Sequence, residues 1–101
     1  MPEPRPGELS LWRVPQGCGL RFKTLDAEGL VFNALSGDTH LLSSSGFEIL
    51  QFLAQQDVHA WSSSAAVTCH LLGDAEVEMQ AQVEKNLLYL AQLGLVEQKP
   101  S

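Results

Sequence analysis

Five side chains of this sequence are of types that bind metal ions: Cys18, His40, His59, Cys69 and His70. Zinc sites bring such ligands together at short, repeated spacings. No C-x-x-C or H-x-x-x-H spacing occurs here, and the neighbours Cys69 and His70 point to different faces of a helix. We therefore expect no metal site and no cofactor.

His40 shares a strand face with Leu42, so the pattern predicts a partly buried, hydrogen-bonded histidine. Contact with a ligand is the alternative role for His40. Ser43, Ser44 and Ser45 lack the G-x-S-x-G elbow of a nucleophilic serine, and helix capping explains all three. Since no acid and base, metal set or nucleophile can be assembled, we expect this protein not to be an enzyme.

Composition bounds the class of protein. The chain has 101 residues, 45% of them apolar, and a net charge of -6. This size predicts one small domain, which we place at residues 9–98 after a proline-rich, disordered tail over residues 1–8. No run of about 18 apolar residues predicts a membrane span, and the N-terminus lacks a signal-peptide pattern. We therefore expect a cytoplasmic location.

Charge is distributed unevenly. Four of the six basic residues precede residue 24, and only Lys85 and Lys99 offset ten acidic residues after it. An acidic surface repels phosphate, which argues against nucleic acid as a partner. Cys18 and Cys69 are too few for a disulfide scaffold, so we expect free thiols, with Cys69 in the core. Trp12 and Trp61 are expected in the core or in a satellite cluster.

Strand patterns occupy the first half of the chain. The segment 9–14 could open the fold as a strand, and Leu20–Leu25 alternates apolar with polar residues. Leu30–Leu35 has the β-branched and aromatic content of a well-covered strand, and Gly37-Asp38 is a tight-turn pair. Thr39–Ser43 is expected to return as the next strand.

Helical spacing follows. Ser45 and Glu48 fit a capping box for a first helix that ends near Gln56. A second helix is expected from Ser63 or Ser64 to Leu72, with Gly73 at its end. Asp74 would cap a third helix, whose apolar stripe is Val83, Leu87, Leu90 and Ala91, and Gly94 would stop it. The order predicts an α+β fold, similar to a winged helix-turn-helix, with about three antiparallel strands before three helices.

The segments "SGDTHLLSSSGFEILQFL" (residues 36–53) and "LAQLGLVEQ" (residues 90–98) resemble the PqqD-like peptide chaperones, also called recognition elements of ribosomally made, modified peptides. The matching positions are a leucine, a small polar pair, a glycine and two apolar helix residues, followed by a Leu-Gly-Leu closure: Leu42, Ser44, Ser45, Gly46, Ile49, Leu53, Leu93, Gly94 and Leu95. The resemblance covers residues 20–97. The W-R-V start and the GDTHLL core are closer to a subgroup encoded beside an HPr-kinase-related protein.

The resemblance implies a binding domain that presents a precursor peptide to a modifying enzyme. The leader segment of the precursor would add one strand to the sheet, in a groove between the third strand and the third helix. The residues so implied are Thr39, His40, Leu41, Leu42 and Ser43 on the strand, and Gln80, Glu84 and Leu88 on the helix. A solvated face is the alternative for these helix residues.

Other partners stay open at the level of sequence. An adaptor that binds an HPr-kinase-related protein would use the same strand edge, and a winged-helix nucleic-acid binder is the less favoured alternative. The resemblance also leaves a homodimer open, because first strands exchange or pair between chains in that family. Trp12 would then mediate self-association.

Overall fold

A computed structural model describes residues 11–57, 60–73 and 77–99 of the chain. The elements within these ranges are, in chain order, β1 (Leu11–Arg13), β2 (Leu20–Thr24), β3 (Glu28–Asn33), β4 (Asp38–Ser43), α1 (Ser44–Ala54), β5 (Ser62–Ser63), α2 (Ser64–Leu72), α3 (Val77–Gln92) and β6 (Glu97–Gln98). The α+β class predicted from the sequence is confirmed.

The strands form two antiparallel sheets of three strands each. The larger sheet has the order β2-β3-β4, so β3 is central. In this sheet Phe22 pairs with Val31, and Val31 pairs with His40. The smaller sheet has the order β5-β1-β6 and joins distant parts of the chain, because Trp12 pairs with both Ser62 and Gln98.

The turn between β3 and β4 begins earlier than the sequence pattern predicted. β3 ends at Asn33, whereas we expected the strand to reach Leu35. The buried Asn33 side chain accepts hydrogen bonds from Leu35 N and Ser36 N, which ends the strand there. Gly37, with a φ of 80°, donates its N–H to Asn33 O and completes the turn.

Helix α1 begins at Ser44, directly after β4, and its capping differs from the prediction. Ser43 is the N-cap, and its Oγ accepts a 3.3 Å hydrogen bond from Gly46 N. The predicted capping box of Ser45 with Glu48 is wrong, because the helix starts too early for Glu48 to stand at its third position. The predicted apolar face of Ile49, Leu50 and Leu53 is confirmed as buried.

Helix α2 buries two polar residues, Ser64 and Thr68, beside the apolar Val67. Ser63 caps its N-terminus, and Gly73 ends it with a left-handed φ of 74°. Thr68 is fully buried, and its Oγ1 donates a 2.6 Å hydrogen bond to Ser64 O, which satisfies the buried hydroxyl. Cys69 is exposed, so its predicted place in the core is wrong. It lies two positions, and thus about 200° of helical rotation, from the buried Val67.

Helix α3 buries Val83, Leu87 and Leu90, as its stripe predicted. Gly94 takes a φ of 79°, and Leu95 N donates to Leu90 O, so the chain folds back at this point. Leu95 and Val96 are buried by this reversal. The core draws on both sheets and all three helices; its members are Trp12, Val31, Leu42, Phe47, Ile49, Leu50, Leu53, Val67, Val83, Leu87, Leu90, Leu95 and Val96.

Some predictions fall on parts of the chain outside the described residues: the tail over residues 1–8, the start of the first strand at residues 9 and 10, the helix cap Asp74 and the side chain of His59. In the described ranges, the helices are all too short or too polar to span a bilayer.

Candidate functional site

β4 forms one edge of the larger sheet. Within the described ranges its backbone pairs with β3 on one side, and the sheet order places no further strand on the other. The edge is therefore a row of peptide groups whose hydrogen-bonding capacity is open to another extended chain. This edge contains the five predicted strand residues, 39–43.

The side chains of β4 alternate between two faces. Leu42 is 2% exposed and packs in the core, so only its main chain is available at the edge. Thr39, Leu41 and Ser43 are exposed, and Leu41 retains 55% of its accessible surface. Leu41 pairs across the sheet with Leu30, so apolar side chains continue from the edge onto the outer face of the sheet.

His40 lies on the same face of β4 as Leu42 and is half buried, which confirms the predicted partial burial. Its Nε2 atom is buried, yet it has no hydrogen-bond partner in the part of the chain that the structure describes. A buried polar atom without a partner costs free energy, and the hydrogen bond predicted for His40 is not seen at this nitrogen among the described residues.

The end of β4, the start of α1 and the middle of α3 meet at Gly46. A Cβ atom added at Gly46 would lie 3.5 Å from Ser43 Oγ, 3.7 Å from Asn86 Oδ1 and 3.9 Å from the Cβ of Leu42. α3 therefore lies close to the β4–α1 corner, at distances that leave room for a Cβ atom at Gly46. Asn86 is the α3 residue that this geometry brings to the corner.

The predicted helix residues lie on another part of α3. At about 100° of rotation per residue, Gln80, Glu84 and Leu88 stand about 120 to 160° around the helix from Asn86. They flank the buried stripe on its opposite side. The exposed residues of α3 within about 60° of Asn86 are Met79, Gln82 and Tyr89, and Tyr89 is 52% exposed.

Glu84 is less exposed than expected for a residue that lines a solvated groove. Its side chain is half buried, and Oε2 is buried without a hydrogen-bond partner among the described residues. Leu88, one turn on, is 48% exposed. The structure therefore brings the five strand residues together on one edge but does not bring Gln80, Glu84 and Leu88 to the corner where α3 meets it.

The sequence pattern did not single out Asn86, which lies at the β4–α1 corner. Asn86 belongs to the flank of the Val83-Leu87-Leu90 stripe opposite to the predicted helix residues. The sequence pattern alone does not show which flank of a helix faces its neighbours. In the folded chain, the position of Asn86 beside Gly46 shows it.

The metal-binding residue types do not cluster. Among the described residues, no group of three or more histidine, cysteine, aspartate or glutamate side chains could hold a metal ion. Cys18 and Cys69 are free thiols, and Cys18 is buried. Burial, and secondarily the nearby Glu97 carboxylate, raises the pKa of the Cys18 thiol, while a hydrogen bond with Asn33 opposes this rise.

The two tryptophans support the smaller sheet. Trp12 is fully buried in the centre of that sheet, as expected for a core residue. Trp61 is half buried, and the guanidinium of Arg13 lies 4.1 Å from its ring centroid, a cation–π contact. β1 has partners from this chain on both sides, β5 and β6, so strand pairing through β1 is complete within one molecule.

Comparisons of this chain with protein-family models, curated proteins and solved structures give no match.

Proposed function

We propose that this protein is a peptide-binding domain that recognises the leader segment of a ribosomally made precursor by strand addition to β4. The single observation that supports this function best is that β4 is an edge strand joined without a linker to a capped helix. The resemblance to PqqD-like peptide chaperones agrees with it. The modifying enzyme, or an HPr-kinase-related protein, would take the peptide from this edge.

The rigidity of β4 is the physical reason why this edge would bind a peptide well. Binding costs conformational entropy in both partners, and a preorganised edge lowers the part that the protein contributes. Here Asn33 and Gly37 hold one end of β4, and the Ser43 cap holds the other. A disordered peptide would therefore dock on an edge whose backbone is already extended.

Side-chain selectivity would come from the two faces of β4. Alternate residues of an added strand would lie beside Leu41 on the outer face and beside His40 on the inner face. Leu41 favours an apolar neighbour, and the half-buried His40 is the polar side chain that an added residue would meet on the inner face. Asn86 and Tyr89 would contact the end of the peptide near Ser43.

The test is a titration of the isotope-labelled full chain with synthetic peptides from short open reading frames near its gene. Saturable shifts of the backbone amides of residues 39–43 are expected with one such peptide. Leu41→Lys should weaken binding by about tenfold or more, since it puts a charge where an apolar contact forms. Leu35→Lys is the matched control, because Leu35 is an exposed turn leucine that is 70% accessible.

Two results would contradict the proposal. One is that amide shifts over residues 39–43 are absent with every peptide. The other is that Leu35→Lys and Leu41→Lys weaken binding equally, which would mean that the edge is not the site. Co-purification with the neighbouring kinase-related protein, without any bound peptide, would favour the adaptor alternative instead.

A further inference from the structure

A second open strand edge lies on the other side of the same sheet. β2 is the edge strand opposite β4, and over the described ranges its backbone pairs with β3 alone. Its residues alternate in exposure: Leu20 and Phe22 are half buried, whereas Arg21 and Lys23 are exposed. The proposed peptide function does not use this edge.

Two depressions lie between β2 and α1. The first, of about 310 Å³, is lined by Val14, Leu20, Phe22, Gln51, Ala54 and Gln55. The second, of about 240 Å³, lies at the end of β2 that carries Thr24, and it shares Gln51 with the first. Together they form a groove along the inner side of β2, which we call the β2 groove.

The two ends of the β2 groove differ in charge, and so do the two faces of β2. None of the residues lining the first depression is charged. The second depression is lined by Asp26, Glu28 and Glu48, among others. Arg21 and Lys23 line neither depression, because residues of a strand alternate between its faces. Within the described ranges, no ion pair joins Arg21 or Lys23 to an acidic residue.

These features define the kind of peptide segment that would fit the β2 groove. In antiparallel addition, a ligand residue opposite Thr24 enters the acidic end of the groove, and residues opposite Phe22 and Leu20 enter the apolar end. The two residues between them, opposite Lys23 and Arg21, lie on the outer face beside cations. Opposite charges and apolar pairs across neighbouring strands are stabilising.

We propose that the β2 groove binds an extended polypeptide segment with the order basic, acidic, apolar, acidic, apolar from its N-terminal end. In antiparallel addition, charge complementarity fixes the composition and the order of residues in this segment. The site is separate from the β4 edge, so a partner protein could bind here while a peptide occupies β4.

A second copy of this chain fits the edge poorly. Antiparallel pairing of β2 with itself about Phe22 would place Arg21 of each copy opposite Lys23 of the other. Like charges directly across a strand pair are destabilising. The same argument does not apply to β4, whose only charged residue is Asp38.

The experiment titrates the isotope-labelled full chain with the capped pentapeptide Lys-Glu-Leu-Glu-Val. Saturable amide shifts are expected in residues 20–24 and 51–55, and not in residues 39–43. The reversed peptide Val-Glu-Leu-Glu-Lys has the same composition and should bind about tenfold more weakly or worse. Ala54→Trp, which fills the first depression at an exposed position, should abolish the shifts without loss of folding.

A charge exchange provides the control. The double variant Arg21→Glu with Lys23→Glu should lose the pentapeptide and gain its counterpart Lys-Lys-Leu-Lys-Val. Lys85→Glu, an exposed change of the same sign on α3, should bind like the parent chain. The proposal is overturned if the reversed peptide binds equally well, or if the amide shifts are confined to residues 39–43. It is also overturned if Lys85→Glu loses as much pentapeptide binding as the double variant does. A concentration-dependent dimer that Ala54→Trp dissociates would overturn it as well.

Discussion

Arg13 Nε donates a 2.6 Å hydrogen bond to Glu97 Oε1, and this contact joins the first described strand of the chain to the last. The two residues are also opposite each other in the β1–β6 register. The same guanidinium lies over the ring of Trp61. One side chain thus ties together β1, β6 and the segment before α2.

Removing this contact should destabilise the domain modestly. The two side chains retain 27% and 39% of their accessible surface, so solvent screens the ion pair. We expect Glu97→Gln to lower the free energy of unfolding by about 0.5 to 1 kcal/mol. Arg13→Ala should cost about 1 to 2 kcal/mol, because it also removes the cation–π contact with Trp61.

Urea denaturation of the two single variants and of Arg13→Ala with Glu97→Gln measures the coupling between the residues. Lys85→Ala is the control for loss of an exposed cation elsewhere. Additive losses in the double variant would mean that the ion pair contributes nothing to stability.

Gly29 should not tolerate a side chain. A Cβ atom there would overlap the Phe47 ring, so the ring, which also stacks edge-to-face on Phe22, would have to move. We expect Gly29→Ala to lower the free energy of unfolding by about 1 to 3 kcal/mol through overpacking. Combining it with Phe47→Leu should recover part of that loss, since leucine leaves room for the added methyl.

Gly46→Ala is the matched comparison, measured in the same denaturation series. A Cβ at Gly46 meets its neighbours at 3.5 Å or more, and alanine favours a helix more than glycine does. This variant should be neutral or slightly stabilising. A larger loss for Gly46→Ala than for Gly29→Ala would contradict the packing described here.

The sequence pattern predicted the structural features that depend only on residues close together in the chain. The apolar faces of α1 and α3 follow from spacing alone, and Gly73 and Gly94 end helices where a left-handed residue is needed. The errors have equally physical causes. The sequence does not identify Ser43 as the N-cap, because each of three consecutive serines has a hydroxyl oxygen that could cap the helix. Only the path of the chain out of β4 distinguishes them.

Long-range features could not be predicted from the pattern. β5 and β6 have two residues each, too short to show any alternation, and they exist because β1 lies between them. The flank of α3 that lies at the β4–α1 corner is set by its packing near Gly46, which joins residues far apart in sequence. The edge position of β2 follows from the placement of β1 in the other sheet, which the turn pattern did not predict.

Thiol chemistry should separate the two cysteines. Cys18 is 3% exposed and its pKa is raised, first by burial and then by Glu97. In the native protein, iodoacetamide at neutral pH should modify the exposed Cys69 and leave Cys18 unmodified. Mass spectrometry after digestion measures both sites, and equal modification would contradict the burial of Cys18.

The raised pKa also predicts how stability changes with pH. A thiol with a higher pKa in the folded state binds more protons there than in the unfolded chain once the pH exceeds about 8.5. Stability from this group is therefore fully present below that pH and is lost as the pH rises through the folded pKa. Replacing Cys18 with alanine should flatten the alkaline slope, whereas Cys69→Ala should leave it unchanged.

The two flanks of α3 make opposite predictions for peptide binding at β4. If the peptide reaches the corner at Gly46, then Asn86→Ala and Tyr89→Ala should each weaken binding by about three- to tenfold, because they shorten side chains on the flank of α3 that lies at this corner. Gln80→Ala and Leu88→Ala should have little effect, since they lie about 120 to 160° away around the helix. Isothermal titration with the peptide that shifts residues 39–43 measures all four. Losses at Gln80 and Leu88 with none at Asn86 and Tyr89 would place the peptide on the other flank, away from the strand edge, and would contradict strand addition at β4.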